Sequence, residues 1–263
     1  MKVAIPPHKH MIEDTLVVVS DVHIIDTQDE RGRRFQWLLD HLHPGKVRHL
    51  VLLGDIFDFY FGPPTYFQTK YQDIFARLQK LAQAGVQVIY LQGNHEFAIS
   101  ASGMRPIQLT EQATLQLNID GERLTFTHGD LISPPWHYRI YAQLVRSRLL
   151  RWVGGRLPPT LLDRLALRIS KQSRLSGLKK RVPHRPIMQG IRTWMSSHQD
   201  IQTLLVGHFH VPYAFRGSYG KVIGLPGWEQ PGFVGYHEKK FFRYTWDKSS
   251  SQIQQREVLF VDF

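Results

Sequence analysis

Five short motifs built from aspartate, asparagine and histidine are spread over the first 210 residues of the chain. Each follows an apolar, β-branched-rich run of the kind that forms a buried strand. In chain order they are Ser20-Asp21-Val22-His23, Gly54-Asp55-Ile56-Phe57-Asp58, Gly93-Asn94-His95-Glu96, His128-Gly129-Asp130 and Gly207-His208-Phe209-His210. A single Asp or His after a strand is usually a turn or cap residue. Five such motifs in this arrangement predict a shared metal centre.

The residue types in these motifs indicate which chemistry the centre can support. The chain has no cysteine, so a metal ion must be bound by nitrogen and oxygen ligands, which suits Mn²⁺, Mg²⁺, Fe or Zn²⁺. Two ions about 3.5–4 Å apart can activate a water molecule and neutralise a phosphoryl group, as hydrolysis of a phosphoric ester requires. A carboxylate is the natural bridge between the ions. Asp55, on the central loop, is the candidate for it.

Hydrophobic periodicity predicts the elements that position these motifs. Strands are expected over 16–19, 50–53, 86–91, 124–127 and 203–206, and helices over 32–42 and 66–84. Alternation of strand and helix is typical of a parallel sheet with right-handed crossovers, whose functional loops meet at the carboxyl ends of the strands. After Gly207 we expect an antiparallel second sheet that completes a sandwich, with strands over 213–216, 221–225, 240–246 and 255–261.

Residues 131–200 are expected to form a basic helical insertion, or lid, within a single domain that spans residues 1–263. The net charge of the chain is +11, and this segment contains fourteen Lys and Arg residues but only Asp163 as an acid before Asp200. Its amphipathic spacing allows two interpretations. The helices either lie on an anionic membrane and offer an apolar groove, or pack in an ordinary core with solvated arginines. The one-sided charge favours the first, and candidate diphosphate contacts there are Arg168, Lys171, Arg174 and Lys179.

Composition limits where the protein is expected to act. No uninterrupted apolar run reaches the ~18 residues of a membrane span. The first thirteen residues contain prolines, lysines and histidines instead of the apolar centre of a secretory signal. These features predict a cytoplasmic protein.

In this order the motifs D-x-H, G-D, G-N-H-[DE], a His-bearing loop and G-H-x-H resemble the calcineurin-like metallophosphoesterase superfamily. That resemblance implies an α/β fold, a four-layer αββα sandwich. It implies that one ion is held by Asp21, His23, Asp55 and His210, and the other by Asp55, Asn94, His128 and His208. It further implies Mn²⁺ as the metal and a hydroxide that bridges both ions as the nucleophile, without a covalent enzyme intermediate.

The same resemblance assigns roles to residues beside the ligands. It implies that His95 is not a ligand but contacts the phosphate and assists the leaving group, with Glu96 orienting its ring. An imidazole that titrates near neutrality suits this task. Asp58 and Asp130 are candidate hydrogen-bond partners for ligand imidazoles, which generally need one.

Within that superfamily the chain is most similar to the UDP-2,3-diacylglucosamine pyrophosphatases of lipid A synthesis, which are peripheral membrane enzymes. Three features carry this resemblance: the aromatic residues Phe59, Tyr60 and Phe61 after the second motif, the helical insertion, and Leu-Pro-Gly-Trp-Glu over 225–229. It implies hydrolysis of UDP-2,3-diacylglucosamine to UMP and lipid X at the inner membrane. One difference is that those enzymes commonly have Arg where this chain has His95. The aromatic residues are interpreted either as pocket lining or as core.

The sequence alone allows two other functions. The protein is alternatively a phosphodiesterase or phosphatase acting on nucleotides or another phospholipid. From a different class, it is a non-enzymatic protein whose basic surface binds membrane or nucleic acid, with nucleic acid the less favoured partner. A requirement for acyl chains would separate the first two, and metal-dependent turnover would separate both from the third.

Overall fold

The computed structural model describes residues 2–4, 11–61, 64–96, 106–110, 112–158, 161–162, 164, 168, 184–198, 200–246 and 253–260. The strands are β1 Lys2–Ala4, β2 Leu16–Val19, β3 His49–Leu53, β4 Gln87–Leu91, β5 Gln108–Thr110, β6 Thr114–Ile119, β7 Glu122–Thr127, β8 Thr203–Val206, β9 Ala214–Gly217, β10 Gly220–Gly224, β11 Gly232–His237, β12 Lys240–Trp246 and β13 Ile253–Leu259. The helices are α1 Glu30–His41, α2 Pro64–Lys70, α3 Gln72–Gln83, α4 Trp136–Val145, α5 Arg148–Gly154 and α6 His184–Ser196.

Two sheets contain these strands. The first has the order β1-β13-β12-β11-β2-β3-β4-β5, and β2 to β5 run parallel to one another. The second has the order β6-β7-β8-β10-β9, with β7, β8 and β10 parallel. Every residue of β2 and β8 is buried, which explains why they appear in the sequence as continuous apolar runs.

The sheets pack against each other and carry helices on their outer faces. Val18 and Val51 of the first sheet share a core with Phe126 and Leu205 of the second. Helices α1 and α3 cover the outer face of the first sheet, and α6 covers that of the second through a core that includes Ile191. This arrangement confirms the predicted four-layer αββα sandwich.

The structure corrects two details of the prediction. The helix expected over 66–84 is two helices, because the chain leaves helical geometry at Tyr71 (φ −113°, ψ 25°) between α2 and α3. The antiparallel second sheet expected after Gly207 is also wrong. Strands β9 and β10 join the second sheet, where β10 runs parallel to β8, whereas β11, β12 and β13 extend the first sheet from the edge of β2. Pairing with β11 satisfies backbone groups that would otherwise leave β2 as an open edge.

Helices α4, α5 and α6 lie between β7 and β8 in the chain. Helix α5 ends at Gly154 against the ring of Phe61, and a Cβ there would lie 2.5 Å from the ring. Leu162 is fully buried in the same core as Phe59. The segment is therefore attached to the loop that follows β3. None of the described helices combines the length and the apolar character needed to cross a membrane.

A buried hydrogen bond joins the start of the first sheet to its late strands. The Tyr244 hydroxyl donates to Asp14 Oδ2 over 2.6 Å, although the two residues are 230 positions apart. We expect Tyr244→Phe to lower the free energy of unfolding by about 1–3 kcal/mol in urea denaturation, because a buried carboxylate loses a donor. Tyr236→Phe is the control, since this buried hydroxyl has no hydrogen-bond partner among the described residues. Equal losses in both variants would contradict the role given to the Asp14 bond.

Candidate metal centre

The five motifs meet where β2, β3, β4, β7 and β8 end. Neighbouring loops are joined by backbone hydrogen bonds, from Asp21 N–H to the Gly54 carbonyl (3.1 Å) and from His23 N–H to the Asp55 carbonyl (3.0 Å). The side chains therefore converge because parallel strands finish at one edge of each sheet.

Five of the seven predicted ligands have left-handed backbone conformations. Their φ angles are 54° for Asp21, 53° for His23, 54° for Asp55, 64° for His208 and 54° for His210. Residues with a Cβ adopt this region at a cost of about 1–3 kcal/mol each, and they do so mainly at functional sites. The turn after each strand is thus used to direct a side chain toward a common point.

The first group of side chains contains Asp21, His23 and His210, whose ligand atoms lie within 4.8 Å of one another. Asp21 Oδ1 is 3.3 Å from His210 Nε2, and His23 Nε2 is 3.4 Å from the same nitrogen. The second oxygen of Asp21 accepts a hydrogen bond from the backbone N–H of His208 over 2.8 Å. Asp21 Oδ1 has no hydrogen-bond partner among the described residues and remains for an ion.

The second group contains Asp55, His128 and His208, with the same spread of ligand atoms. His128 Nε2 lies 3.5 Å from Asp55 Oδ2 and 3.0 Å from Asn94 Oδ1. The other ring nitrogen of His128 is 3.0 Å from the Leu53 carbonyl, to which it donates. That bond directs Nε2 toward Asp55 and Asn94.

Asp55 lies between the two groups. Its Oδ2 is 3.5 Å from His128 Nε2 and 3.8 Å from His23 Nε2, so it faces one residue of each group. Its Oδ1 accepts the backbone N–H of His95 over 2.9 Å. A side chain at Gly93 would overlap this carboxylate. Asp55 therefore lies between the two groups of side chains, and the structure brings together all seven residues predicted as ligands.

The donor set fits divalent cations. Asp21 Oδ1 and His23 Nδ1 are buried and have no hydrogen-bond partner among the described residues. At most one proton can lie between His23 Nε2 and His210 Nε2, whereas both nitrogens can donate lone pairs to one ion. All of the converging atoms are nitrogen or oxygen, the ligands preferred by hard and borderline divalent metals.

Electrostatics hold the carboxylates of this cluster as anions. Burial alone would raise the pKa of Asp55, but the charges on His128 and His95 hold it well below its usual range. Burial, followed by the charge on His128, lowers the pKa of His208 to about 4. Asp55 and His208 are thus in the forms that bind metals, ionised carboxylate and neutral imidazole.

His128 and His210 differ from His208. Against the effect of burial, Asp55 raises the pKa of His128 to about 10. Against the same effect, Asp21 raises the pKa of His210 to about 10. A bound ion would therefore displace a proton from both rings.

Glu96 has a different role from the one predicted. This fully buried carboxylate accepts hydrogen bonds from the backbone N–H groups of Asp55 (3.0 Å), Phe57 (2.9 Å) and Gly93 (3.1 Å) and from the Tyr90 hydroxyl (2.5 Å). Burial and then the charge of Asp55 raise the pKa of Glu96 to about 7. Glu96 therefore joins the loops after β3 and β4, because both of its oxygens face backbone donors.

The ring of His95 is oriented by another group. Its Nδ1 lies 2.8 Å from the Asp58 carbonyl, which leaves Nε2 facing the site at 4.0 Å from Asp55 Oδ2. The prediction that Glu96 orients this ring is therefore wrong.

The two other predicted imidazole partners differ from each other. Asp58 lies beside a ligand ring, with Oδ1 3.6 Å from His23 Nδ1. Asp130 instead accepts a hydrogen bond from the Tyr138 hydroxyl (3.1 Å) and forms an ion pair with Arg146 (2.8 Å). The predicted imidazole contact of Asp130 is thus replaced by a contact with α4 and the residue that follows it.

The predicted substrate-binding residues lie either outside the cluster or outside the described residues. Arg168 is exposed, and Lys171, Arg174 and Lys179 lie outside the described residues. Of the aromatic residues after β3, Phe59 and Tyr60 are buried in the main core, and Phe61 is half-buried against it. Packing thus accounts for the first two.

Glu229, with its partner Arg31, also contacts the cluster, although none of the five motifs contains either residue. Glu229 Oε2 lies 3.1 Å from His210 Nδ1, and Arg31 forms an ion pair with Glu229. The only sequence signal for Glu229 was the segment 225–229, one of the features that carry the family resemblance.

Comparison with known proteins agrees with this geometry. The calcineurin-like phosphoesterase family matches residues 15–212 of the chain. A UDP-2,3-diacylglucosamine hydrolase from Aeromonas hydrophila is 25% identical over 226 residues, covering 82% of this chain and 91% of that protein. Proteins of the same name from Pseudomonas putida (strain F1; 27% over 235 residues, 83% and 93% covered) and Azotobacter vinelandii (25% over 241 residues, 86% and 98% covered) are also similar. The chain is therefore a metal-dependent hydrolase that belongs to the calcineurin-like phosphoesterase family.

Proposed function

We propose that this protein is a dinuclear-metal enzyme that hydrolyses the diphosphate of UDP-2,3-diacylglucosamine, releasing UMP and lipid X, at the cytoplasmic surface of the inner membrane. The observation that carries the proposal is the position of Asp55, whose Oδ2 faces His128 on one side and His23 on the other. The names of the similar proteins support the choice of substrate.

In this proposal each ion has its own set of residues, and the two sets share Asp55. Asp21, His23, Asp55 and His210 hold one ion, and Asp55, Asn94, His128 and His208 hold the other. When bound, the ions supply an activated water and neutralise phosphoryl charge. Mn²⁺ is the ion that we propose first.

His95 is proposed to act on the leaving group. Its Nδ1 is fixed by the Asp58 carbonyl, so Nε2 is the nitrogen that faces the site. Because Nδ1 donates to a carbonyl, Nε2 carries a proton only when the ring is an imidazolium cation, and that proton would be available to the oxygen that departs from phosphorus. Asp58 and Glu96 support this step by fixing the ring and the loop that carries it.

The segment after β7 supports an amphipathic substrate. Asp130, two residues after His128, binds Tyr138 of α4 and Arg146, so this helix is tied to the metal cluster. Helices α4 and α5 expose large apolar side chains: Trp136, Ile140, Leu144, Leu149 and Trp152. A ligand with phosphates at the ions and acyl chains along these helices would use both features.

The same apolar surface supports association with a membrane. Trp136 is 74% exposed and Leu149 is 71% exposed, which is unusual for side chains of this size. Arg139 and Arg156 are exposed on the same helices and the turn after them. Apolar side chains between cations are typical of segments that lie on anionic lipid.

A second substrate class is a nucleotide or another phospholipid. His95 favours it, because it stands where enzymes of the lipid A pathway commonly have Arg. The non-enzymatic interpretation is not retained, since the chain belongs to a family of hydrolases.

Removal of the bridge is the first test of the metal centre. We expect the wild-type protein to bind two Mn²⁺ ions in equilibrium dialysis and to hydrolyse bis-p-nitrophenyl phosphate. Asp55→Ala and His128→Ala should bind fewer ions and lose turnover to the buffer level, because each removes a shared or buried ligand. Asp40→Ala is the control, as this exposed carboxylate pairs only with the surface residue Arg77 among the described residues. Full turnover in folded Asp55→Ala would refute the proposal.

A product assay tests the substrate. With Mn²⁺ present, we expect UMP to be released from UDP-2,3-diacylglucosamine but not from UDP-N-acetylglucosamine, since the latter lacks the acyl chains that the apolar helices would bind. His95→Ala should lower turnover of the acylated substrate while leaving Mn²⁺ binding intact. Equal release from both substrates would direct the search to nucleotides.

Vesicle sedimentation tests the membrane surface. We expect the protein to bind phosphatidylglycerol vesicles, and combined replacement of Trp136, Leu149 and Trp152 by alanine to weaken binding by about tenfold or more. Burial of each such side chain contributes roughly 1.5–3 kcal/mol, and about 1.4 kcal/mol is a factor of ten. Tyr219→Ala, which removes an exposed aromatic ring outside these helices, should bind as the wild type does. Unchanged binding by the triple variant would rule out this surface.

A further inference from the structure

Glu229 is placed to act on a metal ligand although it lies far from all five motifs in the sequence. Its Oε2 is 3.1 Å from Nδ1 of His210, whose Nε2 is 3.3 Å from Asp21 Oδ1. The carboxylate thus lies behind the ring, on the side away from the cluster. We infer that Glu229 is a positioning residue: it accepts the Nδ1 proton of His210 and so keeps Nε2 free and directed at the ion. This inference rests on the proposed two-metal function.

The backbone that carries Glu229 is fastened to the cluster. The ring of the preceding residue, Trp228, is buried between Phe35 (centroid distance 6.0 Å) and Trp246 (5.4 Å). Its backbone N–H donates to the carbonyl of Asp21, a proposed ligand, over 3.3 Å. The position of Glu229 is therefore set by core packing as well as by its contact with His210.

Arg31 holds the other oxygen of this carboxylate. Its Nη2 lies 3.2 Å from Glu229 Oε1, and its Nη1 donates to the Val22 carbonyl over 3.0 Å. Val22 lies between Asp21 and His23. One guanidinium therefore links Glu229 to the loop that carries two proposed ligands of the same ion, which fixes the carboxylate with respect to that ion.

The space around the pair admits no additional side chain. A Cβ on Gly227 would lie 2.6 Å from His210 Nδ1 and 2.6 Å from Glu229 Oε2. Such distances are far below van der Waals contact. The loop thus approaches the imidazole closely enough for direct contact with the carboxylate.

The exposure of the Glu229 side chain limits how much its removal should weaken metal binding. Loss of a carboxylate that orients a ligand histidine typically weakens metal binding by about 10–100-fold. The Glu229 side chain is 59% exposed, so water competes for it and partly replaces it when it is removed. We therefore expect about a tenfold loss, at the lower end of that range.

The experiment is a titration of the full chain with Mn²⁺. Binding is measured by calorimetry and by the electron paramagnetic resonance signal of free Mn²⁺. Glu229→Ala is expected to lower the affinity for one of the two ions about tenfold and to leave the affinity for the other within about twofold of the wild-type value. Glu229→Gln should stay within about threefold of the wild type, because its amide oxygen still accepts the Nδ1 proton. Glu238→Gln, an exposed glutamate at another turn, should match the wild type. The melting temperature of the metal-free variants should not change, which separates positioning from a general loss of stability.

Two results would overturn the inference. If Glu229→Ala binds both ions as tightly as the wild type, Glu229 does not position His210, whereas the proposed function stands. If the wild-type protein itself binds fewer than two ions, both the inference and the proposed function fail.

Discussion

The structure depends on one constraint: a buried carboxylate, Asp55, must offer a single oxygen to two groups of ligands. That oxygen is free because the other one accepts the N–H of His95. The direction of the carboxylate is then set by the backbone, since Asp55 N–H and Gly93 N–H both donate to Glu96. Hydrogen bonds between two loops thus fix the position of the carboxylate that lies between the two groups of side chains.

The two sheets supply what this arrangement requires. Left-handed conformations at Asp21, Asp55 and His208 are unfavourable, and the ligand imidazoles lie buried or half-buried beside one another. A loop could not maintain such geometry alone. Here every ligand follows a strand whose apolar residues lie in one of three cores, so the strain is offset by packing that is absent in the unfolded chain. The same strands therefore have two roles: their apolar residues form the cores, and the residues that follow their carboxyl ends form the candidate metal centre.

The sequence predicted which side chains would converge because each of their signals is local. A buried run such as β8 followed at once by Gly207 and His208 can be recognised within six residues. The contacts of Glu96 and Glu229 could not be recognised in this way. Glu96 reaches backbone groups about 40 positions away, and Glu229 meets Arg31 across 198 positions. Likewise, β11 joins the first sheet because it pairs with the free edge of β2. That edge exists only in the assembled fold, so neither segment indicates the pairing by itself.

Metal binding and substrate choice are assigned to different parts of the chain, and Asp130 connects them. It follows the ligand His128 by two residues, yet its carboxylate binds Tyr138 and Arg146. The helices beyond it expose apolar side chains between arginines, whereas the strands below expose none of comparable size near the ligands among the described residues. In the proposed function, a change in the exposed apolar side chains of the helices would alter which phosphoric ester is held while the ligands stay in place. Such a separation would let one metal centre serve different substrates.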